Sequence, residues 1–261
     1  DDLQNILGLL AGIALFLFGM SVLAEAMKVL AGERAKSALA HATNGAGKGV
    51  VVGALATAAL GSSSLSIIMT IALVDARLLP LSGALAIVLG ANIGTTIASQ
   101  LFALNAQQFG PILLIGGLLL SFVGRSTQAR TIGRAVLGVG LLFFGLSELD
   151  QAANPLGKNP TVLGWLQQLR DPAMGALVGA GVTVLVQASS ATVAIAISFV
   201  REGLITLPAG VAVMLGAEIG TCSDTLVASL GRSADAIRVG VFHLVFNVTT
   251  VLLALPFASE L

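Results

Sequence analysis

Gln187, Ser189, Ser190 and Thr192 stand together in the stretch QASSATVAIAIS, residues 187–198, with apolar sequence on both sides. One amide and three hydroxyls in such a setting could do two kinds of chemistry. A serine could act as a nucleophile, which needs a base within hydrogen-bond reach. Alternatively, the cluster could mark a break in a membrane helix. Freed N–H groups and hydroxyls at a helix start suit an anion, and exposed carbonyl, amide and hydroxyl oxygens suit a hard cation such as sodium. The two histidines, His41 and His243, lie far from the cluster in sequence, so no base is evident for the first chemistry.

The cluster has a counterpart. A shift of 126 residues places Gln187-Ala188-Ser189-Ser190 on Gly61-Ser62-Ser63-Ser64, and GAEIGTC (216–222) on GANIGTT (90–96). Gly175, Gly179 and Thr183 fall on Gly49, Gly53 and Thr57, and residues 144–145 fall on a second Phe-Gly at 18–19. Residues 49–95 and 175–221 align without a gap and share 18 identities in 47 positions. Shared Leu and Val would follow from apolar composition alone, but Ser-Ser and G-A-x-I-G-T would not. The chain reads as two repeats, residues 1–125 and 126–261.

The elements that position these residues must cross a membrane. The 261 residues are 56% hydrophobic and 10% charged, with a mean hydropathy of +0.98. Soluble domains carry roughly a quarter charged residues. Apolar runs near the ~20 residues that span the hydrocarbon recur along the length, which favours helices over the short alternating strands of a barrel. The formal net charge of zero suggests no nucleic-acid partner. The single Cys222 excludes an intrachain disulfide and a cysteine-based metal site. The first apolar run lacks the basic start and small-residue cleavage site of a signal peptide. One all-α membrane domain is the simplest count.

The apolar segments are about 3–30, 49–74, 81–104 and 110–124 in the first repeat, and 131–149, 175–200, 207–230 and 236–258 in the second. Basic loops carry Arg34, Lys36 and Lys48, then Arg125, Arg130 and Arg134. Both belong on the cytoplasmic side. That requires an even number of crossings between Lys48 and Arg125, which follows if 49–74 is a re-entrant hairpin with its serines at the tip. The uncharged turn between 104 and 110 then lies outside, and Arg232 and Arg238 fall inside. Each repeat has three crossings and one hairpin (about 49–74 and 175–200), so the repeats are inverted. Inverted repeats with broken helices are the build of secondary transporters, with irregular backbone lining a wet or protein-filled space. Two tips approaching from opposite sides would form one site near the midplane.

Other residues carry weaker signals. Gly116, Gly117, Gly138 and Gly140 read as close helix packing. The G-A-x-I-G-T stretches read as packing or as a second bend at the site. Carboxylates within membrane segments are expensive and usually functional. Glu218 is therefore a candidate to bind sodium, carry a proton or pair with a base, while Asp224 is a ligand or an interfacial residue. Asn92 occupies the place of Glu218 in the first repeat. His243, in HLVFN (243–247), reads as a packed residue. Glu25 and Lys28 are expected to close the first helix and snorkel. Trp165, in the linker 150–172, is expected as an interfacial anchor.

Paired Gln-Ser-Ser motifs, each followed some thirty residues later by G-A-N-I-G-T-T, resemble the type II sodium/phosphate cotransporter family, including its bacterial members. The resemblance runs from about Gly12 to Asn247 and includes the H-x-x-F-N run. It implies phosphate binding by Ser62, Ser63, Ser64, Ser189, Ser190, Thr192 and Asn92. It implies sodium binding by Gln187, Thr221, Asp224, Thr95 and Thr96; Glu218 joins the sodium candidates by its own charge, not by the resemblance. The resemblance further implies sodium as the coupling ion without another cofactor, no enzymatic activity, a bilayer setting in the plasma (inner) membrane, and compatibility with a homodimer. The chain departs from the family's Q-S-S-S pattern: Gly61 replaces a Gln, Ala188 a Ser, and Glu218 an Asn. A carboxylate beside an anion site repels phosphate unless sodium or a proton neutralises it. The sequence therefore leaves open a transporter or proton-coupled exporter of another small oxyanion, and a structural or channel-forming role.

Overall fold

The computed structural model describes residues 2–42, 45–103, 107–156, 159–258 and 260. The turn expected between 104 and 110 falls partly outside them, at 104–106, as do residues 157–158 of the expected 150–172 linker. The described residues form eleven α-helices and no strand: α1 (Asp2–Ala40), α2 (Ala46–Leu60), α3 (Ser63–Asp75), α4 (Leu81–Ala103), α5 (Gly110–Val123), α6 (Thr127–Leu156), α7 (Pro160–Gln167), α8 (Pro172–Val186), α9 (Ser189–Arg201), α10 (Leu207–Ser229) and α11 (Ala234–Ala254). Four helical stretches are long and apolar enough to cross a bilayer: Ile6–Ala40, Thr127–Pro155, Leu207–Ser229 and Ala234–Phe257. A fifth is reached if Pro160–Arg170 and Pro172–Val186, bent by 108°, count as one span. This is an all-helical, multi-pass membrane protein.

The first helix does not end where its charges begin. Glu25 and Lys28 were expected to close it, yet α1 runs on through Arg34 and Lys36 to Ala40. Ala, Glu, Lys and Arg are strong helix formers, so the helix outlasts its apolar stripe. At about 1.5 Å per residue its 39 residues reach roughly 58 Å, well beyond a hydrocarbon core of about 30 Å. Arg34 and Lys36, expected in a loop, therefore lie on α1, Lys48 lies on α2, and Arg130 and Arg134 lie on α6. The linker around Trp165 is likewise helical. Asn159 caps α7 by accepting from the backbone N–H groups of Thr161 and Val162, and Trp165 projects from it, exposed.

The structure divides into two compact units. The first comprises Asp1–Leu23, Phe102–Thr221 and Thr249–Leu261; the second comprises Ala24–Leu101 and Cys222–Val248. Each draws on both halves of the sequence. Phe16, Leu142, Leu146 and Leu149 anchor the core of the first unit, with Ala191 and Ala194 of α9 packed into it. Leu39, Leu60, Ile67, Ile71, Ile87 and Val88 anchor the core of the second.

The G-A-x-I-G-T stretches are not bends. Both α4 and α10 run through them unbroken. Their glycines instead bring helices into backbone contact, as small residues four apart do in membranes. A Cβ at Gly90 would overlap the carbonyl of Val50, and one at Gly94 would overlap Thr57. In the first unit, Gly216 meets Ala176 and Gly220 meets Thr183 in the same way. Close packing also explains Gly117, Gly138 and Gly140, which abut Leu137, Leu23 and Leu114. It does not explain Gly116, where a Cβ would meet nothing within 4 Å.

Candidate functional site: two broken-helix tips

Each serine cluster sits at a break between two short helices. In the second unit, α2 ends at Gly61, whose left-handed backbone (φ 67°) lets its N–H donate to the carbonyl of Thr57. Ser62 is extended (φ −151°) and caps α3, its Oγ accepting from the N–H of Leu65 at 3.2 Å. Glycine as a left-handed stop and serine as an N-cap are strong local signals, so this break is written into its own residues.

In the first unit the same backbone path appears 126 residues later. Gln187 (φ 60°) takes the place of Gly61 and Ala188 (φ −150°) that of Ser62. The bounds of α2, α3 and α4 all recur at this offset in α8, α9 and α10. Here the local signals are poor. A left-handed non-glycine residue costs roughly 1–2 kcal/mol, and alanine is a weak N-cap. A longer-range bond compensates. The hydroxyls of Thr183, in the last turn of α8, and Thr192, in the first turn of α9, lie 2.7 Å apart and buried. Gln187 Nε2 also donates to the carbonyl of Val184, 2.6 Å away, satisfying one open carbonyl at the end of α8.

The first turns of α3 and α9 carry Ser63 and Ser64, and Ser189 and Ser190. The N–H groups of these residues have no intrahelical acceptor, and they lie at the positive end of a helix dipole. Ser63 and Ser189 are buried. Ser64 hydrogen-bonds the Asp224 carboxylate of α10, so Asp224 lies at a tip and not at an isolated interface. Thr192, expected to face phosphate, spends its hydroxyl on Thr183.

The oxygen-rich residues flank these tips. Gly94 packs on Thr57 and Gly220 on Thr183, so α4 and α10 meet the last turns of α2 and α8 one residue before Thr95 and Thr221. Thr95, Thr96 and Thr221 each donate to the carbonyl four residues back, at 3.1, 3.4 and 3.1 Å. Their oxygen lone pairs remain available to a cation. Glu218 lies one turn before Thr221 on α10, partly buried.

A polar chain runs through the second unit that sequence reasoning did not assemble. His243, on α11, is fully buried; its Nδ1 lies 2.9 Å from Thr225 Oγ1. Asn247 Nδ2 lies 3.1 Å from His243 Nε2 and 3.2 Å from Cys222 Sγ. Asn92 Nδ2 donates to Asn247 Oδ1 at 3.2 Å. The spacing of His243 and Asn247, one helical turn apart, was the available signal; the partners on α4 and α10 were not visible in it.

The feet of the return helices are tied by carboxylates. Asp150 on α6 accepts from Ser198 at 2.5 Å and Gln107 at 3.2 Å and lies 3.9 Å from Arg201. Asp75, ending α3, accepts from the backbone N–H of Ser233 at 2.8 Å and pairs with Arg232 at 3.4 Å. The Ser233 N–H, its hydroxyl and Arg232 hold the Asp75 carboxyl below its usual range.

Helices long and apolar enough to cross a bilayer, two broken-helix tips and carboxylates on α10 are the features of a polytopic membrane protein with broken helices. A family model described as Na+/Pi-cotransporter matches residues 15–151 and 159–259. The chain belongs to the Na+/Pi-cotransporter family. It is 32% identical over 248 residues to "Uncharacterized protein YqeW" of Bacillus subtilis, covering 95% of this chain and 80% of that protein. It is 25% identical over 258 residues to "Putative inorganic phosphate export protein YjbB" of Escherichia coli K12, covering 98% of this chain and 48% of that protein. "Sodium-dependent phosphate transport protein 2B" of Homo sapiens is 30% identical over 142 residues, 48% of this chain and 20% of that one. The chain thus spans about half the length of the second relative and a fifth of the third. No solved structure matches.

Proposed function

We propose that this chain is a sodium-coupled secondary transporter of inorganic phosphate in the plasma (inner) membrane, working by alternating access with two inverted repeats. The observation that carries the reading is the recurrence of one helix break, left-handed then extended, ahead of a serine-bearing first turn in both repeats. An irregular backbone at membrane depth persists where it lines a polar space. The N–H groups and hydroxyls of Ser62, Ser63, Ser64, Ser189 and Ser190 bind the phosphate oxygens. Thr192 contributes by holding its tip closed through Thr183. Gln187, Thr221, Thr95, Thr96, Glu218 and Asp224 supply oxygen ligands for sodium. Sodium neutralises the Asp224 and Glu218 carboxylates, and so removes their repulsion of the anion.

Changing Ser63 and Ser190 together to Ala tests the tips. Purified protein carrying both changes loses phosphate binding while keeping its fold; unchanged binding places the anion elsewhere.

A second reading, proton-coupled export of phosphate or another small oxyanion, is favoured by two observations. Glu218 puts a titratable carboxylate where the first repeat has Asn92, and one relative's name specifies phosphate export. Glu218→Gln distinguishes the two. Under sodium coupling it changes the sodium dependence of transport; under proton coupling it abolishes the pH dependence.

A further inference from the structure

Asn92 was expected among the phosphate ligands, and the hydrogen bonds around it assign it differently. Thr225 Oγ1 donates to the carbonyl of Cys222 at 3.0 Å, so it accepts from His243 Nδ1–H. With its proton on Nδ1, His243 presents a lone pair at Nε2, and Asn247 Nδ2 donates to it. Asn247 must then turn its Oδ1 the other way, where it accepts from Asn92 Nδ2. This bond fixes the orientation of the Asn92 amide and uses one of its two N–H donors. Its Oδ1 is left buried with no protein hydrogen-bond partner among the described residues. An orphaned buried acceptor is costly unless something electropositive meets it.

We infer that Asn92 is a cation ligand, and that His243 and Asn247 are positioning residues that aim its carbonyl oxygen. A phosphate needs donors, whereas the Asn92 atom left buried without a partner is an acceptor. A sodium ion needs an oxygen acceptor, and that atom is one. The second repeat points the same way independently: the residue 126 positions on is Glu218, whose ionised side chain offers acceptors only. The α5 counterparts of His243 and Asn247 at the same offset are Gly117 and Ser121. A carboxylate needs no such relay, because both its faces are oxygen; an amide does, because one of its faces is a donor.

The inference rests on the sodium reading above, and its test separates the two. Sodium chloride is titrated against choline chloride at constant ionic strength, without phosphate, and the half-saturating sodium concentration is read from the thermal stabilisation of purified protein. The phosphate KM at saturating sodium is read in proteoliposomes. His243→Leu raises the half-saturating sodium concentration by about tenfold, the usual loss when a ligand's orienting partner is removed. The phosphate KM stays within about twofold, less than a hydrogen bond's worth of free energy. Adding Asn92→Asp to His243→Leu restores the sodium response, because a carboxylate needs no aiming. Asn92→Asp alone keeps the sodium response, which covers the case in which His243→Leu fails to fold. A raised phosphate KM with an unmoved sodium midpoint in either single variant makes Asn92 an anion ligand and overturns the inference alone. A wild-type protein that sodium does not stabilise overturns the sodium reading and the inference together.

Discussion

The hydroxyls of Thr183 and Thr192 sit 2.7 Å apart, fastening the last turn of α8 to the first turn of α9 across the break at Gln187 and Ala188. Their counterparts, Thr57 and Ser66, are not paired. Ser66 instead donates to the carbonyl of Ser62 at 3.1 Å, and Thr57 Oγ1 is buried without a hydrogen-bond partner among the described residues. The two tips share a backbone path and differ in what holds it.

That difference predicts a double-mutant cycle. Thr183→Val strands the Thr192 hydroxyl and costs about 1–3 kcal/mol, whereas Thr183→Val with Thr192→Val costs less than either single change. Thr57→Val, which removes a hydroxyl that has no partner, is neutral or stabilising. Thermal unfolding of the purified variants in detergent reads all four.

Gln187 predicts a trade of stability against function. Its left-handed backbone (φ 60°) is one that glycine adopts without penalty. Gln187→Gly therefore leaves stability unchanged or raises it by up to about 1 kcal/mol. The same change removes an amide oxygen from the proposed cation ligands and weakens the sodium dependence of phosphate flux. Loss of stability with normal sodium dependence would show that Gln187 serves only as a cap.

The glycines divide into those packed on backbone, which cannot change, and those that face open space, Gly116 among them. Gly90→Ala or Gly216→Ala forces a Cβ into the carbonyl of Val50 or Ala176. Because the obstacle is backbone, the helices must separate, at about 3 kcal/mol or more. Gly116→Ala meets open space and is neutral. Size-exclusion monodispersity and melting temperature compare the three.

At the foot of α3, Asp75 predicts a pH dependence. Hydrogen bonds from Ser233 and the nearby Arg232 hold its folded pKa below the usual aspartate range. A carboxyl depressed in this way contributes stability above its unfolded pKa, and that contribution is lost as pH falls through the folded value. Asp75→Asn therefore melts below wild type at pH 7, and the gap narrows only in acid, below about pH 4. Melting curves from pH 7 to pH 3 check the sign.

The sequence made some of this legible because the signals were local. Gly61 followed by Ser62 marks a stop and a start, and the helices do break there. At Gln187-Ala188 there is no glycine stop or serine cap; the polar cluster itself suggested a break, and the offset from the first repeat placed it. The G-A-x-I-G-T segments misled as possible bends. Glycines four apart carry the same letters whether they break a helix or press it against another, and only the position of α2 beside α4, and of α8 beside α10, tells which. The extent of α1 was lost because charge was taken as a boundary, while helix propensity ignores it. In the hydrogen-bonded chain through His243, Asn247 and Asn92, the bond from Asn92 to Asn247 joins residues 155 positions apart, a separation at which periodicity carries no information.

The central claim is coupling of phosphate movement to sodium. Radiolabelled phosphate flux is measured in proteoliposomes holding the purified protein, with sodium gradients imposed in each direction and choline as the replacement cation. Flux that follows the sodium gradient, and collapses when Ser63 and Ser190 are both changed to Ala, is the predicted result. Phosphate flux of equal size with sodium absent from both sides would contradict it.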